Sequence, residues 1–491
     1  MKTRRAVPSA SILIESMRDI GYSLDTALAD IIDNSITAKA KTVRILADTA
    51  GMDPTIGIVD DGDGMDEHEL FKAMRMGSQN PLDKRSLDDL GRFGLGLKTA
   101  SFSQCRRLTI ITRKDGQTSC ARWDLDQVAM EDDWLVELPS NTKDIPWAEE
   151  LGAKGTLVVW EKMDRLFDQT EEGRQYFVRK LDDSIEHLSL VFHRFLAGEK
   201  GLRRIKLSLN GRDISAFDPF RSDHPATNPG AVEKLRLGGH VVTIQAFTLP
   251  HHQKVSPAEW EKFAGREGYV KNQGFYVYRA KRLIIYGTWF GLARQMELTK
   301  LARVRIDMPN GLDNDWKIDV KKASANPPRQ VRNRLRLLIE SIGASSTRVY
   351  KSKGARLLAD TRLPVWQRRQ NKNQISYNLN PDHPILTDFM TRLADDTRED
   401  FVKIVEMAGA TFPRDAFFAD MSGHPELVND TSMSPESLEL AVKSTFGPLK
   451  QSGLSVNEIL EMMRAAEPFR SRWEATEKLL REIKKGESPH V

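Results

Sequence analysis

The chain has 491 residues, 29% of them charged, and a formal net charge of +4. That length allows about two to four domains, and so small a net charge confines any nucleic-acid contact to local basic patches. Two cysteines, Cys105 and Cys120, exclude a disulfide framework and a cysteine metal set and suit a reducing cytoplasm.

The apolar run behind the basic opening Met1 to Arg5 stops at Glu15, Arg18 and Asp19. It is too short to export the chain or to span a membrane. Ser9 to Ile20 predicts a short helix. From Leu24 to about Lys39, Leu24, Leu28, Ile31 and Ile32 recur at helical spacing and predict a second helix with one buried face. Asp30 and Asn34 stand one turn apart on one stripe of it. An acid can orient a water for attack, and an amide oxygen can ligate a hard cation, which together are what a magnesium nucleotide site needs. On an isolated helix the same pair is simply its wet side.

Thr42 to Leu46 and Thr55 to Val59 predict strands, the second running into Asp60-Asp61-Gly62-Asp63-Gly64-Met65. Glycines after a strand let the backbone turn where a side chain would block a flat ligand. Asp60, at the strand end, can accept a hydrogen bond from an exocyclic amine such as that of adenine. A calcium loop is the competing reading, but no Glu closes a twelve-residue loop at the required offset. Met76 to Leu90 has the Ser, Asn, Pro, Asp and Lys content of a lid. Gly91 to Ser101 follows, with Gly91, Gly94 and Gly96 opening a helix that carries Lys98 and Thr99. Free amides at such a start cradle phosphate. The Gly-Lys-Thr order of a Walker A loop is absent. Lys154 to Trp160 is a Gly-Thr turn feeding a further strand.

Beyond Gly201 the pattern becomes strand-rich. Ile205 to Leu209 alternates, Asn210-Gly211 signals a hairpin, and strands are predicted at Val241 to Phe247 and Gly274 to Tyr278. Helices are predicted around Phe290 to Leu301 and over Gln330 to Ile342. Arg279, Lys281 and Arg282 either form a nucleic-acid patch or are plain exposed hairpin charges. From Arg348 to Lys372 the chain is basic, with Trp366 among Arg362, Arg368 and Arg369. It reads either as a phosphate-and-base contact or as a linker with one docking Trp. The remainder turns helical: Ser434-Pro435 opens one helix, Ser455-x-x-Glu458 is a capping box, and Trp473, Leu479, Leu480 and Ile483 share a face.

Taken in order, these blocks resemble the GHKL (Bergerat-fold) ATPase superfamily of gyrase, MutL, histidine kinases and dimeric heat-shock chaperones. "DIIDNSITAKA" is similar to its N box, "DDGDGM" to the adenine box and "GRFGLGLKTAS" to the lid-closing glycine box. "LGRFGLGLKTASFSQCRRLTIITRK" is most similar to the MORC-type branch and its prokaryotic relatives, and "YRAKRLIIYG" also looks MORC-like. The resemblance implies an α+β chain. A Bergerat-fold α/β sandwich ATPase domain would span 1–198, and an α/β transducer domain of ribosomal-protein-like βαβ type 199–345. A basic linker and mainly helical C-terminal region would span 346–491.

By the same resemblance the cofactors are ATP and Mg²⁺. Asn34 becomes the magnesium ligand and Asp60 the adenine anchor, backed by Thr156. Gly62, Gly64 and Met65 line the adenine pocket, while Gly94, Gly96, Lys98 and Thr99 take the phosphates. Asp30 falls where most of the family has Glu as water-activating base and is one methylene shorter, which implies a closer helix or slow hydrolysis. Asp33 supports the helix or a water, and Thr37, in place of a common Asp, is structural. A γ-phosphate-sensing lysine would be Lys321 or Lys322, with Lys322 slightly preferred. Glu186-His187-Leu188 superficially resembles a phospho-acceptor box but lies after the ATPase core and reads as a buried helix.

The expected protein is a cytoplasmic ATPase that homodimerises on ATP and acts on double-stranded DNA. The competing readings are a chaperone-like machine for protein clients and a nucleotide-switched scaffold with little turnover.

Overall fold

Ser9 accepts a hydrogen bond from the Ile12 amide and so starts α1 (Ala10–Arg18). Helix α2 (Leu24–Thr37) buries Leu24, Leu28, Ile31 and Ile32 on the predicted face. The computed structural model describes residues 3, 8–19, 21–50, 53–77, 90, 96–166, 170–318, 325–342, 366–371, 374–380, 383–413, 416–417, 433–451, 453–465 and 468–486. The chain divides into two units, Met1–Ile339 and Glu340–Val491.

The first unit holds two sheets. Seven strands form the first: β1 (Thr42–Asp48), β2 (Thr55–Asp60), β3 (Arg107–Lys114), β4 (Gln117–Asp124), β5 (Gly155–Glu161), β6 (Lys206–Leu209) and β7 (Arg212–Asp213), in the order β4-β3-β5-β2-β1-β6-β7. All neighbours are antiparallel except β1 and β6. Strand β5 reads as a continuous apolar run because both of its faces are covered. Val158 and Trp160 join the core shared with α1, α2 and the later helix α6 (Glu171–Val191), whereas Leu157 and Val159 pack with Val59, Ile111, Ile145 and Leu151 on the other face.

The hairpin at Asn210-Gly211 has both residues at positive φ, as a two-residue turn requires. Its strands join this first sheet, although the sequence places them in the middle segment. The reason lies in Asn210, whose side chain accepts from the Ala47 amide at 2.8 Å and donates to the Ala47 carbonyl at 3.0 Å.

Helices α3 (Glu67–Met74), α4 (Gly96–Phe102) and α5 (Leu125–Glu131) complete the first layer with α6 and α7 (His193–Ala197). Glu186-His187-Leu188 lies within α6, where Leu188 is buried in the core. The second sheet contains β8 (Asn228–Leu237), β9 (His240–Thr248), β10 (Gly274–Arg279), β11 (Arg282–Thr288) and β12 (Ala302–Met308), in the order β11-β10-β12-β9-β8. Helices α8 (Pro257–Ala264) and α9 (Gly268–Lys271) lie between β9 and β10 in sequence, and α10 spans 329–342. No α-helix forms at Phe290 to Leu301. There the Gln273 side chain takes the Met296 amide, the Trp289 indole N–H and the Thr299 hydroxyl, and donates to the Met296 carbonyl. That leaves only a 3₁₀ turn at Glu297–Thr299.

A polar seam joins the two sheets. Tyr278 Oη lies 2.7 Å from His193 Nε2, and Arg194 pairs with Asp307 while its guanidinium sits 4.9 Å from the Tyr278 ring centre. Burial pulls both His193 and His187 down to about 4 from the ordinary 6.5; the acids Asp218 and Asp25 respectively oppose the shift, and Arg194 and Arg282 add to it. The unfolded chain therefore binds more protons between about pH 6.5 and 4, so stability present above that window is lost as pH falls through it. Melting temperature is expected to drop between pH 7 and pH 5. In His193→Gln the slope should be shallower; an unchanged slope would remove His193 from the acid response.

In the second unit, β13 (Trp366–Asn371) and β14 (Gln374–Leu379) form a hairpin, followed by α11 (Pro384–Thr391), α12 (Asp395–Ala410), α13 (Pro435–Gln451), α14 (Val456–Ala465) and α15 (Trp473–Gly486). Ser455 and Glu458 exchange the hydrogen bonds of a capping box. Leu480 is buried in one cluster with Phe446, Ile459 and Met463, and Trp473, Leu479 and Ile483 pack on it. The Trp366 ring meets Phe412 edge-on at 5.6 Å, a docking contact.

Candidate nucleotide site

The site is assembled on α2, the end of β2 and the start of α4. Asp60 ends β2 nearly buried, with its carboxylate enclosed by three donors. Ser35 Oγ donates to Oδ2 at 2.8 Å, and the Gly62 and Thr156 amides donate to Oδ1 at 2.9 and 3.3 Å. Burial pushes this carboxyl above its ordinary range, against those three hydrogen bonds. A carboxylate has about four acceptor positions, so capacity for a ligand amine remains on Asp60.

Two glycines make this arrangement sterically feasible. Gly64 has φ +71°, and a Cβ on it would lie 2.1 Å from the Arg113 carbonyl oxygen. Gly155 has φ +124°, and a Cβ there would lie 2.0 Å from the Asp60 carbonyl oxygen. The Asp60–Gly64 turn and the start of β5 thus meet backbone to backbone. Thr112, opposite Thr156 on β3, ties them: it accepts from the Met65 amide at 2.8 Å and donates to the Gly155 carbonyl at 3.1 Å.

Asp30 is buried on α2, and Tyr22 Oη donates to its Oδ2 at 3.0 Å. The position of a Cβ on Gly96, the first residue of α4, lies 3.5 Å from the same oxygen. The acid therefore sits at the opening of the glycine-rich helix. Asn34, one turn on, is exposed, and Asp33 is buried. Thr37 Oγ1 donates to the Asp33 carbonyl at 2.9 Å and accepts from the Leu90 amide at 3.5 Å.

Lys98 is the lysine expected at the phosphates. Its Nζ is buried and donates to the Ala73 and Arg75 carbonyls at 2.7 and 3.0 Å, at the negative end of α3. Burial lowers it to about 8. Thr99 is buried beside it, and Met65 packs against the core. Gly94, Lys321 and Lys322 lie outside the described residues, as does most of Met76 to Leu90.

The Arg279–Lys281–Arg282 hairpin does not form a basic patch. Arg279 is buried against Asp313 through two 2.8 Å contacts and donates to the Leu90 carbonyl at 2.9 Å. Arg282 is buried against α2, its Nε 3.3 Å from Asp33 Oδ1 and its Nη2 4.0 Å from Asp30 Oδ1. Opening such a buried pair typically costs about 3–5 kcal/mol, because it strands a charge. The sequence marks none of Tyr22, Ser35 and Thr112 as site residues, and it offers Arg282 only as a nucleic-acid-patch or exposed hairpin charge. Ser35 and Tyr22 adjoin the N box, but nothing local signals Thr112 or Arg282.

Burial raises both thiols, Cys120 to about 11, so neither is a nucleophile at neutral pH. Among the described residues no helix is long and apolar enough to cross a membrane.

With its mixed sheet, acid–amide helix, caged aspartate and glycine-opened helix, this part of the chain resembles an ATPase domain of GHKL type. Residues 22–152 match the family described as histidine kinase-, DNA gyrase B-, and HSP90-like ATPase. Within the superfamily the similarity is of MORC type: the chain is 31% identical over 91 residues to "ATPase morc-1" of Caenorhabditis elegans. That stretch is 18% of this chain and 10% of the relative's length.

Proposed function

We propose that this protein binds and slowly hydrolyses Mg²⁺-ATP, and that lid closure with homodimerisation of its first domain drives a clamp-like change on double-stranded DNA in the cytoplasm. The observation that carries the nucleotide reading is the caged Asp60 beside Gly62, with Asp30 at the first residue of α4. Asp60 would accept the adenine amine with Thr156 behind it, while Gly62, Gly64 and Met65 leave room for the ring. Gly94, Gly96, Lys98 and Thr99 would face the phosphates, with Lys98 also tying α4 to α3. Asn34 would hold Mg²⁺, which supplies charge neutralisation of the phosphates. Asp30 orients the attacking water, and Lys321 or Lys322 reports the γ-phosphate from a transducer domain at 199–345.

The DNA reading is supported by a cleft of about 500 Å³ at the start of α10, lined by Lys317, Arg329, Arg332 and Arg336 together with Asp315, Asn326 and Asn333. Arg329, Arg332 and Arg336 recur along one side of the helix, whereas Arg334 between them pairs with Glu233. Steady-state ATP hydrolysis with and without double-stranded DNA, at low and high salt, tests this reading. Stimulation that fades with salt is expected, and Arg332→Ala should lower the salt slope of DNA binding by about one. A flat response to DNA would sink the DNA reading and leave the chaperone-like one. That alternative is favoured by the exposed edge strand β8, with Val232 on it and Val241 on β9 open to solvent. Tight ATP binding with background phosphate release would instead indicate a nucleotide-switched scaffold.

A further inference from the structure

The second sheet sends one side chain into the catalytic helix. Ala280 and Lys281, both at positive φ, make the tight turn between β10 and β11, and Arg282 is the first residue after it. Its side chain, Asp33 and Asp30 are 6%, 1% and 4% exposed respectively. Two carboxylates and one guanidinium are thus withdrawn from water together.

The guanidinium is held on several sides. Nε meets Asp33, Nη1 donates to the Leu283 carbonyl at 3.0 Å, and the Phe192 ring centre lies 5.7 Å away. A planar fork fixed in this way has one orientation, which a lysine cannot reproduce. Asp30 is then bracketed by Tyr22 Oη at 3.0 Å on Oδ2 and Arg282 Nη2 at 4.0 Å from Oδ1. One oxygen of Asp30 thus accepts a hydrogen bond from Tyr22 and the other faces the Arg282 guanidinium at ion-pair range, both groups lying outside its own helix.

We propose that Arg282 is a positioning residue for Asp30, acting with Asp33, so that hydrolysis requires the β10–β11 hairpin to be seated on α2. This rests on the reading of Asp30 as the base. The chemical consequence is specific. Withdrawing the hairpin removes charge compensation from two buried carboxylates and frees the base to rotate, but leaves the Asp60 cage untouched. Turnover is lost while nucleotide affinity stays, because a displacement near 1 Å at the reacting group can cost about a hundredfold in rate.

The test compares wild type, Arg282→Gln, Arg282→Lys, the double variant Arg282→Gln/Asp33→Asn, and Asp30→Asn in the full chain. Single-turnover hydrolysis, affinity for a non-hydrolysable ATP analogue and melting temperature are measured for each. Arg282→Gln is expected to lower the hydrolysis rate at least thirtyfold, with analogue affinity within about threefold of wild type. Arg282→Lys should recover part of the rate. The double variant, which removes one stranded charge, should regain melting temperature without regaining turnover.

Full turnover in a folded Arg282→Gln, or turnover restored along with stability in the double variant, would overturn the positioning role. Equal loss of analogue affinity and rate in every Arg282 variant would reduce the residue to a structural one. Asp30→Asn separates the two failures. If it keeps wild-type turnover, the base reading falls and this proposal with it. If it is inactive while Arg282→Gln is active, only the proposal falls.

Discussion

Asp60→Asn is expected to raise the dissociation constant for ATP by about two orders of magnitude while the fold survives. The carboxylate serves Ser35, Gly62 and Thr156 from its two oxygens. An amide keeps only one acceptor oxygen, so its NH₂ must oppose either the two backbone N–H groups or the adenine amine, the Ser35 hydroxyl alone being able to turn and accept. Hydrogen bonds to a charged acceptor contribute about 1.5–3 kcal/mol each. Losing the one to adenine and loosening the cage together account for the expected shift. Isothermal titration with ATP and the melting shift on adding nucleotide check it. Nucleotide affinity within threefold of wild type would remove Asp60 from the adenine pocket.

The second large effect is expected at Asp30. Asp30→Ala should lower turnover by about 10²–10⁴-fold, the range of a positioned general base, with ATP affinity nearly unchanged. The separation follows from geometry: Asp30 accepts from Tyr22 and pairs with Arg282, whereas Ser35, Gly62 and Thr156 donate to Asp60. Phosphate-release kinetics beside nucleotide titration measure both quantities in one preparation. Activity that survives the substitution would move the base elsewhere, and Asp33 would be tested next. Its burial against Arg282 and its carbonyl contact with Thr37 argue for support of the helix over chemistry.

The buried seam ties the second sheet to α2 and to Leu90. Leu90 ends the segment expected to act as the lid. Thr37 of α2 binds its amide, and Arg279 of β10 binds its carbonyl. Arg282, after the same turn, reaches α2 itself. One hairpin therefore grips both Leu90 and the helix of Asp30, the proposed water-orienting acid.

Short-range patterning determined much of this on its own. Helix α2, strands β1, β2 and β5, the Asn210-Gly211 turn and the Ser455–Glu458 cap are local, because periodicity, positive φ and capping depend on neighbours in the chain. The nucleotide motifs were legible for the same reason: Asp30 with Asn34, and Asp60 with Gly62 and Gly64, each lie within one turn of backbone. Tertiary structure decided the rest. Whether Arg279 and Arg282 are a solvated patch or buried partners of Asp313 and Asp33 depends on residues far away in sequence, and charge alone reads the same in both cases. Lys98 likewise has the spacing of a phosphate ligand, and only the fold shows that its ammonium also reaches the carbonyls that end α3. Gln273 took the donors of a segment with helical periodicity and kept it open. Local pattern chose the elements and marked the site; long-range burial of charge chose which cations serve it.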